Sequence, residues 1–329
     1  MKRPVDPPIE GVAAVAQRLA VLLTAGVSPV SAWTYLLPDD TSGAASGVTS
    51  GVASGGVAPS AARVVRAAAA AGRGGGSIAD AVAAEAHAIG GQGGDAWLGL
   101  AAAWAVATQA GAPLAACLRE LAGSFRDVGQ VHRDLAVALA GPQATARMVM
   151  ALPLVGILLG SALGFNTLQT LFLTVPGLAC LAVGTLLMAA AARWNRRLVR
   201  SARARDPTPG LALDLTAIGM AGGGSVTRAR ALVLSVTERY GVGAGEAGAE
   251  LSIDRVLALS ARAGVPAAEL LRSEAEQLRR DARSAGQSAA ATLSVTLMIP
   301  LGLCVLPAFM LVGVLPLLLT VLSSTLRSF

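Results

Sequence analysis

The sequence predicts an all-α integral membrane protein: two cytoplasmic antiparallel helical-bundle repeats carried on about three transmembrane helices. Three observations predict it. Residues 148–192 contain no Asp, Glu, Lys, Arg or His. The regions on either side are nearly charge-balanced and show the 3.6-residue apolar spacing of amphipathic helices. Glycine-centred helix corners recur in the same order in both regions.

Composition agrees with a membrane protein carrying sizeable water-exposed parts. Hydrophobic residues make up 54% and charged residues 14%, against about 25% charged in a typical soluble domain. Residues 1–145 hold nine Lys/Arg and ten Asp/Glu, and residues 207–283 hold nine of each, so the net +6 lies mostly in the arginines beside the apolar runs. That placement speaks for membrane topology and against nucleic-acid binding. Arg supplies all but one of the 26 basic residues and Ala and Gly are abundant, the usage of a high-GC bacterial genome.

Residues 1–145 form the first cytoplasmic repeat. Met1–Glu10 has two basic residues but then acids and prolines, unlike a secretory signal, whose apolar run follows its basic residues. Val12, Val15, Leu19, Leu22 and Leu23 share one helix face, Gly26 ends that helix, and Ser28-Pro29 starts the next, since Gly suits a left-handed C-terminal position and Pro the first turn. Residues 39–59 are Gly, Ser, Ala, Thr and Val with few large side chains and read as a loop inserted in the repeat, followed by Ala-rich helices near 60–71 and 78–89. Asp95 then caps a helix to Ala110, Gly111-Ala112-Pro113 turns the chain, and a further helix carrying Cys117, Leu118, Leu121 and Phe125 on one stripe runs to about Ala140. His132 lies on that stripe as a packing residue, and His87 has no partner at metal spacing.

Residues 146–192 read as a transmembrane hairpin. An isolated charge at a helix centre costs about 2.5–3.5 kcal/mol on insertion scales, so a long uncharged run is a membrane signal. Its most polar patch, 165–170, divides it into arms of about twenty residues, or roughly 30 Å at 1.5 Å per residue. Arg193, Arg196, Arg197, Arg200, Arg203 and Arg205 follow in a basic juxtamembrane segment, 193–206, while the turn has no Lys or Arg. The positive-inside rule therefore puts both ends of the hairpin in the cytoplasm.

Residues 207–288 form the second repeat. Ala110, Gly111, Pro113, Leu118, Arg119, Ala122 and Arg126 are matched, 153 residues on, by Ala263, Gly264, Pro266, Leu271, Arg272, Ala275 and Arg279. Leu19, Leu22, Ala25, Gly26 and Val30 correspond, 196 residues on, to Leu215, Ile218, Ala221, Gly222 and Val226. The difference of 43 residues is about the length of the insertion with its satellite helices. Residues 289–329 form a C-terminal transmembrane segment punctuated by Pro300, Pro307 and Pro316. One kinked span accounts for it better than a hairpin turning at Pro307, which would leave two spans near minimum length with no polar residue at the turn.

The same residues exclude most chemistry. The only lysine is Lys2, so no Gly-Lys-Ser/Thr phosphate loop exists; no zinc or nucleophile-elbow motif occurs, and three cysteines make no disulfide framework. No acid sits in the spans, which removes the proton-relay signature of a transporter. No catalytic, cofactor-binding or metal residues are therefore assigned.

The order helical repeat, membrane hairpin, Arg cluster, second repeat and Pro-containing span resembles the type II secretion F family of inner-membrane platform proteins. The stretches Leu213–Gly223, Arg279–Arg283 and Met298–Phe309 look closest to its tight-adherence (Flp pilus) branch. The likeness covers residues 205–320 well and the first repeat loosely; the Ala/Gly/Ser insertion and the short first corner depart from the pattern. The resemblance implies a non-catalytic, multi-pass bacterial inner-membrane platform, with the bulk of the chain cytoplasmic. It further implies engagement by a hexameric secretion ATPase, contact with pilin or pseudopilin, and assembly with itself or a second similar platform protein. The partner surface is expected at charged positions opposite the apolar stripes: Arg119, Glu120 and Arg126 in the first repeat, and Arg272, Glu276 and Arg279 in the second. Membrane lipid is the other expected partner. The rival readings are an accessory or regulatory scaffold binding another cytoplasmic partner, and a small transporter.

Overall fold

A computed structural model describes residues 8–37, 59–162, 172–203, 208–242, 248–296, 298–315 and 318. The loop expected at 39–59 and the hairpin turn at 165–170 lie almost wholly outside those residues, as does Arg205. All regular structure among the described residues is helical. The chain divides into two compact units, one made of Met1–Arg133 with Asp206–Ser284, the other of Asp134–Arg205 with Ala285–Phe329.

The first unit begins with α1 (Pro8–Thr24) and α2 (Pro29–Tyr35), joined at Gly26, whose φ of 86° continues the chain where a Cβ would strain it. The Val27 N–H bonds the Leu22 carbonyl across that corner, and Ser28 caps α2 by accepting from the Ser31 N–H with Pro29 in the first turn. Next come α3 (Pro59–Arg73) and α4 (Ile78–Ile89), the latter capped by Ser77. Then follow α5 (Gly91–Ala110) and α6 (Leu114–Ala162), with Gly111 between them at φ 72°. Helix α5 starts four residues before Asp95, behind Gly90, so Asp95 is an interior residue and not the cap. Helix α6 continues through Gly141 and Pro142 to Ala162 and so takes in most of the expected first span.

After residues 134–205, which hold α7 (Val175–Arg203), come α8 (Leu211–Ala221), α9 (Val226–Tyr240), α10 (Ala249–Ala263) and α11 (Ala267–Thr296). Ser225 caps α9 as Ser28 caps α2, accepting from the backbone N–H three residues on. Gly264 separates α10 from α11 at φ 67°.

The two stretches of the first unit share a core. Leu211, Leu215 and Ile218 of α8 and Val233, Val236 and Tyr240 of α9 lie in one buried cluster with Leu19, Trp33, Leu100, Leu118 and Phe125. The opposite side of α8 places Leu213 and Ala217 in a second cluster with Ile253, Val256, Leu271 and Ala275. The physical cause is that α5 and α8 lack a polar face: α5 buries almost everything from Gly93 to Ala107, and α8 buries seven of its eleven residues. A helix apolar all round must be covered all round, and α5 and α8 cover one another.

The second unit is built around α7 (Val175–Arg203). Val175–Leu198 is the one helix among the described residues long and apolar enough to cross a membrane. Gly177, Cys180, Gly184, Ala191 and Asn195 recur along one face of α7 and are buried. They let the C-terminal helical segment approach closely: a methyl group built on Gly184 would overlap the Val312 side chain, and Ala191 packs with Cys304 and Val305. That segment alternates α and π turns, with π-helix at Leu301–Val305 and Met310–Val314 around the short α-helix Leu306–Phe309. The Pro307 ring would clash with the carbonyl four residues back, at Leu303, and the wider π turn holding Leu303 accommodates it. Val305 and Met310 both keep right-handed helical angles, so the chain does not turn back at Pro307.

Candidate functional site

The candidate partner surface lies on the first turns of α6 and on α11, which carry all six charged positions singled out by their placement. Arg119, Glu120 and Arg126 are exposed. Arg119 donates from Nη2 to Thr24 Oγ1 at 2.8 Å, and Arg126 donates from Nη2 to Gln17 Oε1 at 3.1 Å, so both reach across to α1. Glu120 faces the other way, its Oε2 lying 3.0 Å from Nε of Arg272 on α11. Arg272 also donates to Glu269 Oε1 at 2.9 Å and is half-buried. Glu276 is exposed, with Arg280 one turn on at 3.6 Å. The structure thus brings Glu120 and Arg272 together as a bridge between the two expected repeats, leaving Arg119, Arg126 and Glu276 as the outward charges.

Arg279 is not a surface position. Its side chain is only 11% exposed and donates from Nη1 to Asp214 Oδ2 at 2.8 Å, with Asp214 itself 15% exposed and Ser124 Oγ 3.3 Å away. Asp214 is the lone charge of α8, and its buried carboxylate is met by the Arg279 guanidinium and the Ser124 hydroxyl. Burial pushes its carboxyl upward, against the pull of the Arg279 charge and of the hydrogen bonds from Arg279 and Ser124. Arg279 therefore ties α11 to α8 beneath α6, much as Arg126 ties α6 to α1.

A second polar clasp escaped the sequence reading. Tyr240 and Arg239, at the end of α9, both donate to Asp80 on α4, each at 2.8 Å. Burial alone would raise the Asp80 carboxyl, but hydrogen bonds from Tyr240 and Ser77 and the charge of Arg239 outweigh it and hold it low. The same burial, with the Asp80 charge, pushes the Tyr240 phenol up to about 12. On the outer side, Arg230 of α9 pairs with Glu250 at 2.7 Å and Asp254 at 2.6 Å on α10. A lone acid in an apolar helix, as Asp214 is, was the one signal that marked a buried pair; nothing in the spacing linked Asp80 to residues 160 positions away.

The four corner glycines do different work. Gly26, Gly111 and Gly264 take positive φ. Gly222 does not: its φ is −77°, and the left-handed residue is Gly223, at 80°. Gly222 is needed for space, because a Cβ there would overlap the Ala110 carbonyl oxygen at the end of α5.

Chemistry is sparse. Among the described residues no group of three His, Cys, Asp or Glu could hold a metal. Cys117, Cys180 and Cys304 are free and buried, and burial, with the Glu120 charge nearby, pushes the Cys117 thiol up to about 11, far from a reactive thiolate. Of the basic juxtamembrane residues, Arg193, Arg196 and Arg197 are exposed on the last turns of α7, and Arg200 and Arg203 follow in the same helix.

No curated protein and no solved structure matches the chain. Residues 255–315, which run from α10 through α11 into the C-terminal helical segment, match the family model of the type II secretion system (T2SS), protein F.

Proposed function

We propose that the chain is a non-catalytic platform of the bacterial inner membrane, multi-pass with its bulk in the cytoplasm. It couples a hexameric secretion ATPase to the extrusion of pilin or pseudopilin in type II secretion or Flp-type pilus assembly. The family match over residues 255–315 carries the reading. The all-helical fold and the apolar helix Val175–Leu198 agree with it, and the resemblance of Leu213–Gly223 and Met298–Phe309 directs it to the tight-adherence branch.

The motor-facing surface we assign is the outward set Arg119, Arg126 and Glu276. Reversal at Arg126 and Glu276 (Arg126→Glu with Glu276→Arg) in cells is expected to abolish export and co-purification of the ATPase while the protein stays at its normal level in the membrane. Normal export with the ATPase still bound removes this surface from the mechanism. A wild-type chain that never captures the ATPase, tested with the ATPase held in its nucleotide-bound state, replaces the platform with an accessory scaffold for another cytoplasmic protein.

A further inference from the structure

We propose that the end of α7 carries a binding site for the phosphate of an anionic phospholipid, built from Arg193, Arg197 and Trp194. Ala190, Arg193, Trp194, Arg197 and Leu198 recur at helical spacing and line a groove of about 500 Å³ on a face of α7 other than the one buried by Gly184 and Ala191. The two guanidiniums are one turn apart and exposed, so they can hold one phosphate between them, and Arg presents a planar fork that suits phosphate oxygens.

Three features select a lipid headgroup over a free anion. The groove sits where the uncharged stretch Val175–Ala192 ends, a length of roughly 27 Å at 1.5 Å per residue, which sets Arg193 at the edge of the hydrocarbon. Its floor mixes Ala190 and Leu198 with an indole, the composition of an interfacial anchor and not of a solvated anion site. Trp194 is 41% exposed whereas Trp33, Trp97 and Trp104 are all buried, so an indole left open here is an exception in this chain.

Charge argues the same way. Residues 134–205 and 285–329 hold eight arginines and one acid, Asp134, a balance of +7 in a chain whose total is +6. The unit's own sequence thus supplies almost no counter-charge, while an anionic leaflet attracts basic residues placed at its surface. The inference rests on α7 lying in a bilayer and is independent of the platform reading.

The exposed indole makes the test direct. The full chain is reconstituted in phosphatidylcholine vesicles holding the same small mole fraction of either brominated phosphatidylglycerol or brominated phosphatidylcholine, and tryptophan quenching is read, with Trp194→Phe identifying the responding residue. Phosphatidylglycerol enriched at the groove should quench Trp194 about twofold more than brominated phosphatidylcholine, or better. The ratio should fall to about one in Arg193→Gln/Arg197→Gln, whose helix content by circular dichroism is unchanged. Inorganic phosphate at millimolar concentration should not displace the lipid. Equal quenching by the two lipids in the wild type overturns the site, as does full displacement by phosphate, which makes it a free-anion site. No quenching of Trp194 by either lipid overturns both the site and the placement of α7 in the membrane.

Discussion

Asp214 and Arg279 show how one residue pair decides what a surface can be. Breaking a buried pair by removing one partner costs about 3–5 kcal/mol, because the other charge is left desolvated and alone, while replacing both by apolar residues is often neutral. Arg279→Met is therefore expected to lower the melting temperature of the detergent-solubilised chain sharply, and Asp214→Leu/Arg279→Met to recover most of the loss. Arg280→Met, on the exposed side of the same helix, is the control. If Arg279→Met melts no lower than that control, the pair is not desolvated in the way its 11% and 15% exposures require. Arg279 also marks a limit of pattern reading: its spacing opposite an apolar stripe placed it outside, since nothing in α11 alone announced that α6 and α8 would close over it.

Several helix boundaries were legible, because Gly, Pro and Ser punctuate them: Gly26, Ser28-Pro29, Gly111 and Gly264 each stand at a helix end. The partnering of elements was less so. The 3.6-residue pattern of α1 names one buried face, but α5 and α8 have no pattern to read, and uniform apolarity says only that something covers every side. What covers them became visible in the close approach of two corners, Gly222 against Ala110. That contact predicts a ranking among three neighbouring glycines. Gly222→Ala forces the α5 terminus to move and should cost about 1–3 kcal/mol. Gly223→Ala strains a left-handed residue and should cost about 1–2 kcal/mol. Gly224→Ala meets only the end of the Arg228 side chain, at 4.0 Å, and should change little. Thermal melts of the three variants decide it, and a Gly222→Ala chain as stable as Gly224→Ala would remove the close approach. The shared core also means that residues 207–285 taken alone would expose Leu211, Leu215 and Ile218, so these tests belong in the full chain.

Across the whole molecule, charge is segregated. The unit formed by 1–133 and 206–284 carries 18 basic and 19 acidic residues, and the entire positive excess sits with the apolar helices. The positive-inside rule predicts from this that the Arg193–Arg203 end of α7 faces the cytoplasm. A cysteine at Asn166 should then react with an impermeant maleimide in intact cells and one at Ser201 should not. The buried native cysteines, with the Cys117 thiol held protonated well above neutral pH, keep the background low. Labelling at Ser201 with protection at Asn166 would invert the molecule. The expected first arm, about 146–165, continues as far as Ala162 a helix that begins at Leu114, a continuity that the apolar pattern alone did not announce.

The butting of Gly222 on Ala110 also has a tempo. A ribosome releases α5 complete but bare on one flank, and the helix that clothes it lies on the order of a hundred residues downstream, with the apolar hairpin in between. At about 5–20 residues per second, the first stretch waits roughly 5–20 s before α8 arrives. If residues 146–192 enter the bilayer as the expected hairpin, insertion in that interval tethers the bare flank to a membrane surface and returns the chain to the same side for its missing neighbour to follow. Insertion would then be a step in the folding of the unit built on α5 and α8, with the order of its maturation written into the order of its sequence.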